Sequence, residues 1–225
     1  MSNQPHLRAR PRDVTRPMPT GLQPLGLGGH RDSYLYVPPA YTPAQPLPLV
    51  LLLHGAGGHA HDGLAILRHL ADDAGLILAA PASVVHSWDV IVRRQYGPDV
   101  DMVDRTLELV FSDYALDRRR LAIGGFSDGA SYALSLGLAN GDLFTHVMAF
   151  SPGFIAPLRA LGKPKIFISH GTADPILPID PCSRSIAARL RAADYSLDYH
   201  EFEGGHVIPP EIARSAVDWL KADQD

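Results

Sequence analysis

Residues 121–139 read Leu-Ala-Ile-Gly-Gly-Phe-Ser-Asp-Gly-Ala-Ser-Tyr-Ala-Leu-Ser-Leu-Gly-Leu-Ala: an apolar strand that passes through Gly125-Phe126-Ser127-Asp128-Gly129 into a segment with almost no polar face. Alone, a G-x-S-x-G pentapeptide is a weak signal, because Gly/Ser turns are common. Between a strand and a small-residue helix it has a specific meaning: the serine sits on a sharp, strained turn with its Oγ clear of the sheet. A side chain at 125 or 129 would collide with the neighbouring strand or helix, which accounts for both glycines. The helix also directs its N-terminus at the serine and favours negative charge developing there. Ser127 is the candidate nucleophile.

A serine hydroxyl needs a base, and the base needs an orienting carboxylate. The strand–turn–helix context expects them in the order acid, then histidine, each on a loop at the carboxyl end of a later strand. The run Lys165–His170 ends in Gly171-Thr172-Ala173-Asp174-Pro175, and the run Ser196–Phe202 ends in Glu203-Gly204-Gly205-His206. Asp174 and His206 are the candidates. Asp180 reads instead as a helix N-cap before Pro181, Asp198 and His200 lie inside a strand, and His146 comes too early. His170 ends its strand and reads as a brace for the loop bearing Asp174. For the oxyanion of an acyl-transfer intermediate, backbone N–H groups are the usual donors. The amides of Asp128 and of Ala56, in His54-Gly55-Ala56-Gly57-Gly58, are expected to serve, with Gly57 in reserve. The Asp128 carboxylate is expected to point outward from the first helical turn.

The surrounding pattern alternates apolar strands with helical spacings. Leu47–His54 is a continuous apolar run, as in a strand buried on both faces. Strands are also expected at 33–38, 76–80, 121–126, 146–151, 165–170 and 196–202. Helices are expected over 62–74, closed by Gly75, around 102–111, and over 128–139, 181–193 and 209–220. This alternation predicts an α/β fold: a doubly wound, mostly parallel sheet with helices on both faces. The connection between the strands at 146–151 and 165–170 is too short for a cap domain. Residues 1–25, with four arginines and four prolines before residue 20, read as an extended or flexible arm, and 26–225 as a single domain.

Bulk properties exclude several classes. With 225 residues, 46% hydrophobic and 20% charged, the chain suits one soluble domain. A net charge of −4 gives no reason to expect nucleic acid. No apolar stretch is long enough for stable membrane insertion. The arm lacks the apolar core of a secretory signal, and the single cysteine, Cys182, fits a reducing compartment, so a cytoplasmic location is expected. Cys182 reads as a small buried residue. A homodimer is left open. His59-Ala60-His61-Asp62 has the form H-x-H-x-D of a zinc site, but Gly63 stands where a further histidine would follow. Asp62 suits a helix cap, and no metal is expected.

With these residues in view, the chain resembles the α/β-hydrolase superfamily, in the carboxylesterase/phospholipase branch with acyl-protein thioesterases, polyhydroxyalkanoate-depolymerase-like and feruloyl esterases. The likeness spans roughly residues 30–222. It rests on LLHGAGG (52–58), SWD (87–89), GGFSDGA (124–130), HGTADPILP (170–178) and GGH (204–206). Many members carry Gln where this chain has Asp128. The resemblance implies a cofactor-free, lid-poor serine carboxylesterase acting on small-molecule esters of short to medium chain. It places Trp88, with Ile176, Val207, Leu177 and Phe154, near the acyl or alcohol pocket. Thioester or lysophospholipid hydrolysis would use the same machinery, and a non-catalytic binding protein would normally have lost one of the three residues.

Overall fold

The computed structural model describes residues 5–27, 31–157 and 159–222. Its strands are β1 (Gly21–Pro24), β2 (Tyr34–Val37), β3 (Leu47–Leu53), β4 (Ile77–Ala80), β5 (Leu116–Phe126), β6 (His146–Phe150), β7 (Lys165–Gly171) and β8 (Leu197–Phe202). They form one sheet in the order β1-β2-β4-β3-β5-β6-β7-β8. The pairs β1–β2 and β2–β4 are antiparallel, and every pair from β4 to β8 is parallel. The helices are α1 (Ala60–Ala65), α2 (Ala71–Ala74), α3 (Asp89–Arg93), α4 (Pro98–Asp113), α5 (Asp128–Ala139), α6 (Ser185–Ala192) and α7 (Pro210–Lys221).

The continuous apolar run of β3 now has its reason. Leu49, Leu51 and Leu53 face one core with α4, α5 and α6, while Val50 and Leu52 face the other with α1, α2 and α7. A strand buried on both sides has no use for alternation. From β3 the chain winds outward to β4 and later returns to β3's other side as β5. The loops after β3 and β5 therefore open at a topological switch point, where α/β sheets form their crevice.

Several local expectations are corrected. The single helix over 62–74 is α1, a 3₁₀ turn at Arg68–Leu70, and α2, closed by Gly75 at φ 65°. Leu64, Leu67 and Leu70 are buried at a spacing of three, which suits the three-residue period of 3₁₀ geometry better than a straight α-helix. Asp180 does not cap a helix. Residues 180–184 form a π-helical turn, and the Asp180 carboxylate instead accepts a hydrogen bond from Arg184 at 2.8 Å. Asp62 lies at the third position of α1, where its carboxylate accepts the His59 N–H at 2.7 Å. No cap domain lies between β6 and β7, and no helix of the described residues is long and apolar enough to cross a membrane.

The boundary expected at residue 25 is also corrected, because the sheet begins inside the arm, at β1. Residues 1–4 lie outside the described part; from Pro5 the arm is extended and packed. Leu7 and Ala9 are buried among the α4–α5 side chains, and between and beyond them Arg8, Arg10, Arg12 and Arg16 reach Asp104, Asp142, Glu108 and Asp113. The buried Asn140 side chain clasps the strand-like chain, accepting from the Leu7 amide at 2.8 Å and donating to the Pro5 carbonyl at 2.6 Å. Exposed ion pairs contribute little each, whereas a buried leucine contributes about 2–3 kcal/mol. Leu7→Ala should therefore lower the melting temperature by about 5 °C or more, while salt raised to about 1 M should move it less. Calorimetry on both checks this, and a larger salt effect would mean that charges hold the arm.

Candidate active site

Ser127 stands between β5 and α5 at φ 57°, ψ −119°, in a region that L-residues seldom occupy. The packing around it shows what holds it there. A Cβ at Gly129 would lie 2.2 Å from the Leu53 carbonyl oxygen and 2.5 Å from that of His54. One at Gly125 would lie 2.5 Å from the Gly129 backbone and 2.7 Å from the Leu53 oxygen. The turn is pressed against the end of β3 so closely that only glycine fits on either side. The Ser127 amide donates to the Phe150 carbonyl at 2.9 Å, tying the turn to β6 as well.

Two later loops bring their side chains to this point. His206 Nε2 lies 2.8 Å from Ser127 Oγ, and its Nδ1 lies 2.6 Å from Asp174 Oδ2. The other Asp174 oxygen accepts the amides of Ile176 at 2.8 Å and Leu177 at 2.9 Å. Burial alone would push the Asp174 carboxyl up, but those amides and His206 outweigh it and hold the group below the usual range. His170 does brace this loop: its Nε2 lies 2.8 Å from the Leu177 carbonyl and 3.1 Å from Asp174 Oδ2, and its Nδ1 lies 2.5 Å from Ser183 Oγ.

At the end of β3 the Gly57 amide is engaged by the His86 carbonyl at 2.7 Å, so the reserve donor is occupied. Among the described residues the amides of Ala56 and Asp128 have no acceptor. Each loop of the crevice thus carries one N–H group left unengaged by the described residues. The Asp128 carboxylate is turned aside and accepts the Ser87 hydroxyl at 2.5 Å.

Trp88 is placed differently from expectation. Its side chain is completely buried, stacked on Tyr132 at 5.1 Å, and its indole N–H donates to the His54 carbonyl at 2.9 Å. It is a prop beneath the end of β3. Ile176 and Val207 are, by contrast, exposed on the loops that carry Asp174 and His206. His54 itself is buried, with Nδ1 2.7 Å from the Gly55 carbonyl and Nε2 accepting the Ser83 amide at 3.0 Å. Sequence reasoning gave no role to the hydroxyls of Ser87 and Ser131; a hydroxyl that bonds across loops leaves no periodic trace. Ser131 Oγ accepts the Gly153 amide at 2.9 Å and so ties the loop after β6 to α5. His59 is exposed and the His61 ring lies tilted against Tyr34, and among the described residues no three His, Cys, Asp or Glu side chains are grouped to hold a metal.

Comparison with known proteins agrees with this architecture. Residues 100–223 match the phospholipase/carboxylesterase family. A Bacillus subtilis (strain 168) protein named as a hydrolase, MhqD, is 30% identical over 77% of this chain and 92% of its own length. The crystal structure of esterase PE8 superposes with a TM-score of 0.69 at 22% identity, over 84% of this chain and 96% of its own. A Bacillus cereus carboxylesterase superposes at 0.67 and 18% identity, over 88% and 96%. The chain belongs to the phospholipase/carboxylesterase family, with the α/β-hydrolase fold. That membership supports hydrolysis of ester bonds as its general activity.

Two predictions follow from the packing. Gly129→Ala, which drives a methyl into two carbonyl oxygens, should lower the melting temperature by about 5 °C or more. Burial lowers the pKa of His54 and of His170 from the ordinary 6.5. Each ring then contributes its full stabilisation above pH 6.5, and loses it as the pH falls, because the unfolded chain takes up the proton first. Imidazole ¹⁵N NMR should find both rings neutral at that pH; a half-protonated ring would contradict the assignment.

Proposed function

We propose that this protein is a serine carboxylesterase that hydrolyses short- to medium-chain esters through an acyl-enzyme. One observation carries the reading: an unbroken hydrogen-bonded chain from Ser127 Oγ through His206 to Asp174, at 2.8 and 2.6 Å, next to two amides without an acceptor. Ser127 Oγ attacks the ester carbonyl while His206 Nε2 takes its proton, and Asp174 holds the imidazole and its developing charge. The amides of Ala56 and Asp128 receive the oxyanion. Collapse breaks the bond to the alcohol, which leaves with the proton from His206. Water, activated by the same histidine, then releases the acid and restores Ser127.

Ile176 and Val207 flank the histidine side, where the alcohol departs. The short chain preference is supported by the absence of a lid over Ser127 among the described residues. Ser127→Ala should abolish labelling by a fluorophosphonate probe and lower kcat by at least about 10⁴-fold, and Asp174→Asn should cost about as much by releasing the imidazole. On p-nitrophenyl esters, activity should peak at short or medium acyl length. Labelling of Ser127→Ala, or activity rising steadily to palmitate, would refute the mechanism or the chain length respectively.

A further inference from the structure

Two loops leave the carboxyl ends of the sheet on opposite sides of β5: residues 81–97 after β4, and 151–163 after β6. They enclose a cavity of about 400 Å³ whose wall is chiefly apolar, from Val90, Ile91, Tyr96, Phe154 and Ile155. Both loops are tied to the reacting centre. Ser87 bonds the carboxylate of Asp128, and the Gly153 amide bonds Ser131, one turn into α5. The cavity residues Val90, Tyr96 and Ala156 belong to the core on the α5 face of the sheet. His206 approaches from the opposite face, against Phe126 and ahead of α7. A general acid must face the leaving oxygen. The alcohol therefore lies on the His206 side and the acyl group on the cavity side.

Two side chains of this wall, Arg94 and Gln95, are out of place in a purely apolar subsite. Arg94, which lines the cavity, is exposed and makes no hydrogen bond or ion pair with any described residue. It ends α3 with φ 55°, ψ 26°, a backbone state that residues other than glycine seldom adopt. The loop that carries it is locked from below. Asp89 accepts the amides of Gly97 at 2.7 Å and Asp99 at 3.1 Å, and Asp99 accepts those of Val84 and Asp89, each at 2.6 Å. A guanidinium at the edge of an apolar cavity, without an ion-pair partner among the described residues, can receive a carboxylate by two parallel hydrogen bonds.

We propose that the cavity is the acyl subsite and that it selects acyl groups ending in a carboxylate, which Arg94 receives. The substrate class is then the half-ester of a dicarboxylic acid with an apolar spacer. This rests on the assignment of Ser127 as nucleophile, and the test separates the two. The probes are monophenyl adipate and phenyl hexanoate, which share a leaving group and an acyl length but differ in the terminal charge. The readout is the ratio of their kcat/KM values, because misfolding or a damaged triad lowers both together. Wild type should favour the adipate, and Arg94→Met should reduce that ratio about tenfold, the scale of a charge-assisted hydrogen bond in a partly desolvated site. Arg93→Met, one residue away and outside the cavity wall, should leave the ratio as in wild type. Hydrolysis of both esters without preference for the adipate, or a preference that survives in Arg94→Met, overturns the proposal while leaving Ser127 in place. Hydrolysis of neither ester by wild type overturns both assignments.

Discussion

The site depends on one close approach. The turn at Ser127 is pressed against the carbonyl oxygens that end β3, with Gly125 and Gly129 as the points of contact. A left-handed serine costs free energy, and it persists only where the surroundings over-determine it. Here β3 blocks one side and the Phe150 carbonyl fixes the serine amide on the other. The same approach brings the loop after β3 against the turn that carries Ser127: a Cβ at Gly55 would lie 3.5 Å from that of Ser127.

The rest of the molecule maintains that approach. Trp88 reaches under β3 and holds the His54 carbonyl, while His54, kept neutral by burial, holds the Gly55 carbonyl and the Ser83 amide. Two faces of apolar side chains press on β3 from either side, so it cannot shift register without exposing leucines. Asp174 and His206 come from strands further along the sheet, and their loops are rigidified separately: Asp174 by two backbone amides and His170, and the start of its loop by close packing of Gly171 on Gly204 and Gly205. Position at the site is obtained through stiff neighbours, which is what a reaction sensitive to about 1 Å requires.

The parallel strands and α5 were legible because their patterns are strong: long apolar runs, or a helix apolar on every side. Where pattern and packing disagreed, packing won. The helix expected over 62–74 breaks into three pieces because its leucines recur every third residue. The arm, polar in composition, is held by two buried apolar residues and one asparagine that no local pattern marks. Asp180 had the neighbours of an N-cap, yet Arg184 offered its carboxylate a charged partner instead. Trp88 looked like a pocket residue, and its large ring is used to fill the space beneath the crevice.

By itself the sequence determined the candidate residues and their order: a serine flanked by glycines after a strand, then an acid and a histidine after later strands. These are local facts, set by steric demands on single turns and by which side chains can share a proton. Only the tertiary structure decided which backbone amides go unengaged by the described residues, which face of the sheet the histidine comes from, and which residues line the cavity between the loops after β4 and β6. Those depend on contacts between segments far apart in the chain, such as Ser87 with Asp128 or Gly153 with Ser131, and no spacing in the sequence encodes them.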